Sequence, residues 1–204
     1  MQVALRLNKP PNARLHNIVD MGLGFSGMIR LFEKSSKKRI HDEVLRCLPR
    51  LFGAGSEEEF QGIHASFCEW GTNSIMLAER KRKRDGRIVK SAAHATYGQI
   101  AKTLDVTLKV TICYCHLPDC KKSEQMSKWL NAAVDTKMMA FLGREGYREE
   151  IKPWPRTVEQ VRSRLDYVAL QGIVREHIKA KHGNSITPVQ FDDVYWEALN
   201  RDMG

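Results

Sequence analysis

The sequence predicts an all-α fold of six to nine helices, on three observations. Apolar residues recur at three- and four-residue spacing, the period of one helical face. Hydroxyl residues followed three positions later by Glu or Gln mark helix starts. A proline stands just inside the last start, where a helix needs no N–H. Taken in order, Ile40 to Leu51 reads as a helix. Ser56-Glu57-Glu58-Glu59 is a capping box that opens a second helix from about Glu57 toward Glu69 or beyond. Gly98 to Tyr114 reads as a third, although Val106 to Ile112 is β-branched enough for a strand. Ser123 to Leu130 and Val134 to Leu142 follow. Thr157-Val158-Glu159-Gln160 repeats the capping device, and Val158, Val161, Leu165, Val168, Ala169 and Gly172 behind it form one face. That helix is expected to reach the Lys181-His182-Gly183-Asn184 stop. Thr187-Pro188-Val189-Gln190 opens the last one. Two stretches read as punctuation: the glycine-spaced loop Gly22 to Gly27, and Ile151 to Arg156, stiffened by Pro153 and Pro155.

At 204 residues the chain suits one globular unit, with a helical part over about 1–90 and a second over about 91–204. A hydrophobic fraction of 42% with 28% charged residues suits a buried core and argues against disorder. Apolar runs stop at four or five residues, far short of the ~20 that a membrane span needs. Arg6, Lys9, Arg14 and Asp20 break up the first 25 residues, unlike a secretory leader. Five cysteines, an odd number, suit a reducing compartment better than a disulfide scaffold. The expectation is a cytoplasmic monomer with no membrane partner and no cofactor.

The charge balance points to a partner. Lys and Arg exceed Asp and Glu by nine, and the isoelectric point is near 9.4. Such a surplus suits a polyanion, nucleic acid above all. Its densest part is Arg80-Lys81-Arg82-Lys83-Arg84, followed by Arg87 and Lys90. Read as a loop, this run offers phosphate contacts without sequence information. Cys113, Cys115, His116 and Cys120 are zinc-ligand types at the wrong spacing, because Cys113 and Cys115 are too close for the usual pair. Buried thiols at a helix end are the better reading, and no metal is expected. Arg175 and His182 have the spacing of a HEPN ribonuclease element, but the helix dipole alone favours both at a helix C-terminus.

Two further sets are chemically suggestive. Lys102, Asp105 and Lys109 fall on one helical face, with Ile100, Leu104 and Leu108 opposite. From periodicity alone this is a solvated face with two modest ion pairs. Asp192 and Trp196 share a face of the last helix, where an aromatic plane beside a carboxylate could stack a base and accept from its edge. Spacing alone favours an ordinary core Trp and an acid near the helix start.

Three short elements in order carry a family likeness: Tyr97-Gly98-Gln99-Ile100-Ala101-Lys102-Thr103-Leu104-Asp105, then Ala133-Val134-Asp135-Thr136, then Val161 to Arg201 with its Asp192-x-x-x-Trp196. Together they resemble the helix-hairpin-helix DNA glycosylases, and within them the archaeal 8-oxoguanine glycosylase branch. The likeness spans Tyr97 to Arg201. The chain departs from that pattern in lacking the superfamily's glycine-rich hairpin before Lys102, where His94-Ala95-Thr96-Tyr97-Gly98 stands. The resemblance implies a two-lobed helical bundle with a cleft between lobes. It implies Lys102 and Asp135 as the catalytic pair, and Asp192 and Trp196 as walls of a base pocket. Arg80, Lys81, Arg82, Lys83, Arg84, Arg87, Lys90 and Lys109 would contact double-stranded DNA carrying a modified base.

The implied enzyme flips a nucleotide out of the stack at a cost of a few kcal/mol. A fixed carboxylate, Asp135, then stabilises positive charge on the deoxyribose. Lys102 attacks C1′ and forms a Schiff base, which permits strand cleavage; Lys109 is the rival nucleophile. A lysine must be neutral to attack, so burial or nearby cations must lower an ordinary pKa of ~10.4. Asp105 would oppose that shift if it faced the amine. A monofunctional enzyme, in which Asp135 activates water, stays open beside it. So do a non-enzymatic nucleic-acid-binding protein and a HEPN-type ribonuclease. Damage-repair and anti-phage substrates, 8-oxoguanine or a hypermodified base, are both compatible with the residues.

Overall fold

The computed structural model describes residues 11–183 and 185–201, with side chains over 13–183 and 185–195. Among them the chain is mostly helical. It has eight α-helices: α1 (Pro11–Ser26), α2 (Lys34–Gly53), α3 (Glu57–Ser74), α4 (Tyr97–Leu108), α5 (Cys120–Ser127), α6 (Thr136–Arg144), α7 (Arg164–His182) and α8 (Pro188–Arg201). No helix among the described residues is long and apolar enough to cross a membrane. One contiguous apolar core runs from Val19 and Leu23 of α1 to Phe191 of α8, so residues from both halves of the sequence share it.

Local chemistry explains most starts. Ser56 Oγ accepts from Glu59 N, and the Glu59 carboxylate accepts from Gly55 N, so the predicted box closes one residue further back than its usual form. Asp119 and Asp135 cap α5 and α6 by accepting from the amides of the first turn. Thr187 and Gln190 bond reciprocally around Pro188 at the start of α8.

α4 is the central element. Ten of its twelve residues are buried; the exceptions are Lys102 and Val106. Its β-branched end stays helical because Thr103, Thr107 and Thr111 each donate their hydroxyl to a carbonyl four residues back, at 2.7 to 3.0 Å. Buried hydroxyls are thus satisfied within the helix, and no sheet partner is needed. Beyond Leu108 the helix widens into a π-helical segment, Lys109–Tyr114.

Four expectations are corrected. Gly22 to Gly27 is not a loop. Its residues through Ser26 end α1, and only Gly27, at φ 69°, turns the chain. A Cβ on Gly22 would lie 2.8 Å from Thr107 Cα, so the missing side chain lets α1 and α4 touch. Gly22→Ala is therefore expected to cost about 1–3 kcal/mol by overpacking, read as a lowered denaturant midpoint. Thr157 starts only a 3₁₀ turn (Val158–Gln160); Ser163 and Asp166 form the box that opens α7. The face assigned to that helix is reversed, since Leu165 is 80% and Val168 55% exposed. Tyr167, Leu170, Ile173, Val174 and Ile178 point inward instead. The stripe continued from Val158 and Val161, which belong to a different element, and so carried the wrong phase. Finally, the basic run is no plain loop. β1 (Met76–Leu77) pairs antiparallel with β4 (Ala93–His94), and β2 (Arg80–Lys81) pairs with β3 (Ile88–Lys90) inside it. The result is a two-step β-arm on a helical body.

Candidate functional site

A cavity of about 620 Å³ opens where α1, α4 and the start of α6 meet. Lys102 and Val106 of α4, with Lys109 and Val110 of the π-helical segment that continues it, form one wall. The opposite wall is the end of α1 and its turn, with Phe25, Met28 and Arg30 beside the glycines Gly24 and Gly27. Phe25 is 66% exposed, an unusual state for that residue type. Ala133, Asp135, Tyr114 and Asp192 complete the lining. Sequence reasoning missed the Gly24 to Arg30 wall; the glycine spacing was its signal, read as a loop.

Lys102 and Asp135, thirty-three residues apart, meet here. Lys102 Nζ lies 3.6 Å from Asp135 Oδ2. The other carboxylate oxygen, Oδ1, accepts from Lys137 N and Met138 N at 2.9 Å each. Asp135 is thereby fixed as the N-cap of α6, with Oδ2 left toward the amine. Both side chains are largely enclosed.

Lys109 is placed differently from expectation. Periodicity puts it on a solvated face and the family likeness among the DNA contacts, but its side chain is mostly buried. Nζ lies 2.8 Å from Asp192 Oδ2, also contacts Asp193 Oδ1, and stands over the Tyr114 ring. Burial works against its charge, yet the two carboxylates outweigh burial and hold it above the usual lysine value. A lysine held charged is a poor nucleophile, which counts against Lys109 in that role. Burial also pushes the Asp192 carboxyl above the usual range, against the pull of Lys109. Asp192 Oδ1 is buried without a hydrogen-bond partner. Such an orphaned atom costs about 1–3 kcal/mol unless something satisfies it. The side chain of Trp196 lies outside the described residues, so only its backbone position on α8, four residues after Asp192, is established.

Asp105 stands beside Lys102 and Lys109 on the helix but, unlike them, is buried against α3 and α7, where it accepts from His64 Nε2 and from Tyr167 OH, each at 2.8 Å. Cys68 Sγ lies 3.8 Å from His64 Nδ1, which completes a network across α3, α4 and α7. Asp105 therefore does not face the Lys102 amine. Nothing in the sequence marked His64, whose period on α3 is that of an ordinary core position.

The basic run lies on the exposed β-arm. Lys81 pairs with Glu79, Arg82 with Asp85, and Lys90 with Glu159 at 2.5 Å. Arg80, Lys83, Arg84 and Arg87 have no carboxylate partner among the described residues. Cys113 and Cys115 are half-buried and Cys120 is exposed, rather than three buried thiols. No group of three His, Cys, Asp or Glu that could hold a metal occurs among the described residues. Arg175 is engaged by Leu130 O, Asn131 and Glu57, whereas the His182 ring packs toward Phe191, so the two serve different contacts. No family model matches the chain, and neither does any curated protein or solved structure.

Proposed function

We propose that the protein is a DNA N-glycosylase of the helix-hairpin-helix type that extrudes and excises a modified base. The observation that carries this reading is the meeting of Lys102 and Asp135 on the wall of a cavity whose lining also includes Asp192. The architecture it requires is two helical lobes, about 1–90 and 91–204, with the nucleotide between them. In support, the cavity takes one wall from residues 24–30 and the other from residues beyond 100.

The chemistry follows from the placement. Asp135 Oδ2, held by the cap at its sister oxygen, sits where a carboxylate can face positive charge as the C1′–N bond lengthens. The base leaves with the bonding pair and takes a proton. The lone pair of neutral Lys102 Nζ bonds to C1′; one of its two protons passes to O4′ as the C1′–O4′ bond breaks, and the other stays on nitrogen. The product is a protonated imine that permits β-elimination. Asp192 lines the cavity and is the carboxylate suited to the edge of the extruded base. Lys109 sets the position of Asp192 and does not attack. The β-arm supplies phosphate contacts.

The test is direct. The protein is incubated with duplexes each holding one modified base, including 8-oxoguanine and hypermodified phage pyrimidines, and free base is sought by mass spectrometry. Release from one class is expected. If no substrate loses a base while the protein binds DNA in a salt-dependent way, the enzymatic reading falls and a binding protein remains. For the arm, changing Lys83, Arg84 and Arg87 to Gln is expected to flatten log K against log salt by about 0.9 per lost contact. An unchanged slope would remove the arm from the interface.

A further inference from the structure

Beyond Asp135 the chain builds a second cavity, also of about 620 Å³, lined by Thr136, Arg148, Trp154, Arg156 and Gln160 among others. Thr136 is the residue after Asp135, so the two cavities flank the first turn of α6.

Its walls are fixed. The Trp154 indole donates to Met139 O at 3.2 Å, which pins the ring against α6. Gly143 makes room for this. A Cβ there would lie 3.1 Å from both Trp154 Nε1 and Arg148 Nε. Gln160 accepts from Arg156 N at 2.6 Å and holds the segment on its other side. Pro153 and Pro155 limit the backbone between the two arginines.

Its charge is uncompensated. Neither Arg148 nor Arg156 has a carboxylate within ion-pair distance among the described residues, and both are exposed. Three of the acids nearby are engaged elsewhere, Glu149 with Lys152, Glu145 with Lys181 and Glu159 with Lys90, while Glu150 reaches neither arginine within ion-pair distance. The last pair also ties the root of the β-arm to the residue next to Gln160. The root of the arm, this groove and the first turn of α6 are thus neighbours. Two forked cations beside a fixed aromatic plane suit phosphates with a base or sugar between them.

We infer that the groove under Trp154 is a second DNA site, which takes the strand leaving the excision cavity. Arg148 and Arg156 hold its phosphates, and the Trp154 ring stacks on an unpaired base. The identity of the strand rests on the proposed function; the groove's binding does not need base release.

The experiment is fluorescence anisotropy between about 50 and 200 mM salt. Its probes are a labelled duplex with one abasic-site analogue and a labelled oligothymidylate. The double variant Arg148→Gln with Arg156→Gln is expected to flatten the duplex slope by close to 2, at about 0.9 per phosphate. Trp154→Leu is expected to weaken oligothymidylate binding at least fivefold, with a smaller effect on intact duplex. Thermal melts check that each variant is folded. A wild-type slope in the folded double variant overturns the groove, and so does an absence of DNA binding by the wild type. Base release from a protein whose slope ignores these arginines sinks the groove alone. A flattened slope in a protein that releases no base keeps the groove and sinks the glycosylase reading.

Discussion

Lys102→Gln should abolish borohydride trapping of the protein on DNA that carries its target base, whereas Lys109→Gln should still be trapped. Borohydride reduces only an imine, so trapping reports which amine bonded to C1′. Lys102 has one carboxylate, 3.6 Å away, and lines the cavity. Lys109 is clamped by Asp192 and Asp193, which keep its proton on. Base release by Lys102→Gln should fall by about two orders of magnitude or more, the scale lost with a positioned catalytic group. Trapping that persists without Lys102 would move the nucleophile elsewhere. Asp135→Asn separates charge from structure at the same site. Asn is as good an N-cap as Asp, so its side-chain oxygen can still accept from Lys137 N and Met138 N. DNA affinity and melting temperature should therefore hold, while base release drops about 10²- to 10³-fold. Release at the wild-type rate would end the role of that carboxylate.

The second large effect concerns stability. Asp105→Ala removes the acceptor shared by His64 and Tyr167 and leaves a buried imidazole without its counter-charge. Breaking such a pair costs about 3–5 kcal/mol. For a chain of this size that is roughly 6–20 °C in Tm, readable by calorimetry. Replacing both partners, His64→Leu with Asp105→Leu, should cost less than the single change, because no charge is then stranded. A double variant worse than Asp105→Ala would contradict an ionic network. The pH dependence has a definite sign. Burial opposes charge on His64 and pushes Asp105 up, but at the imidazole Cys68 and Asp105 outweigh burial and raise it to about 10. An unfolded histidine titrates near 6.5. Between those values the folded protein holds a proton that the unfolded chain has released. The pair's contribution is thus complete below about pH 6.5 and disappears as pH rises through about 10. Between pH 7 and 10 wild-type Tm should fall more steeply than that of the double Leu variant; parallel curves would exclude His64 as the titrating group.

Residues with local chemistry were legible in the sequence. The Ser56 cap, the Thr187–Pro188 start and the helicity of Gly98 to Tyr114 all rest on contacts within a few residues. The face of α7 was not legible, because phase depends on where a helix begins, and Ser163 outcompeted Thr157 for that start. The arm was not legible either. Its strands are two or three residues long and hold their pairing through register, which no periodicity over so short a run reports.

At the site the division is the same. The sequence by itself determined the overall helical class and the positive surplus, and its likeness to a known family singled out Lys102 and Asp135. Only the tertiary structure decided that these two share a cavity wall, that Lys109 is ion-paired with Asp192 and Asp193, and that Asp105 bonds to His64. The reason is physical. A helix period fixes which residues share a face to within a stripe. Which neighbour covers that stripe, and whether a charge meets solvent, a partner or an empty space, is set by packing between segments dozens of residues apart.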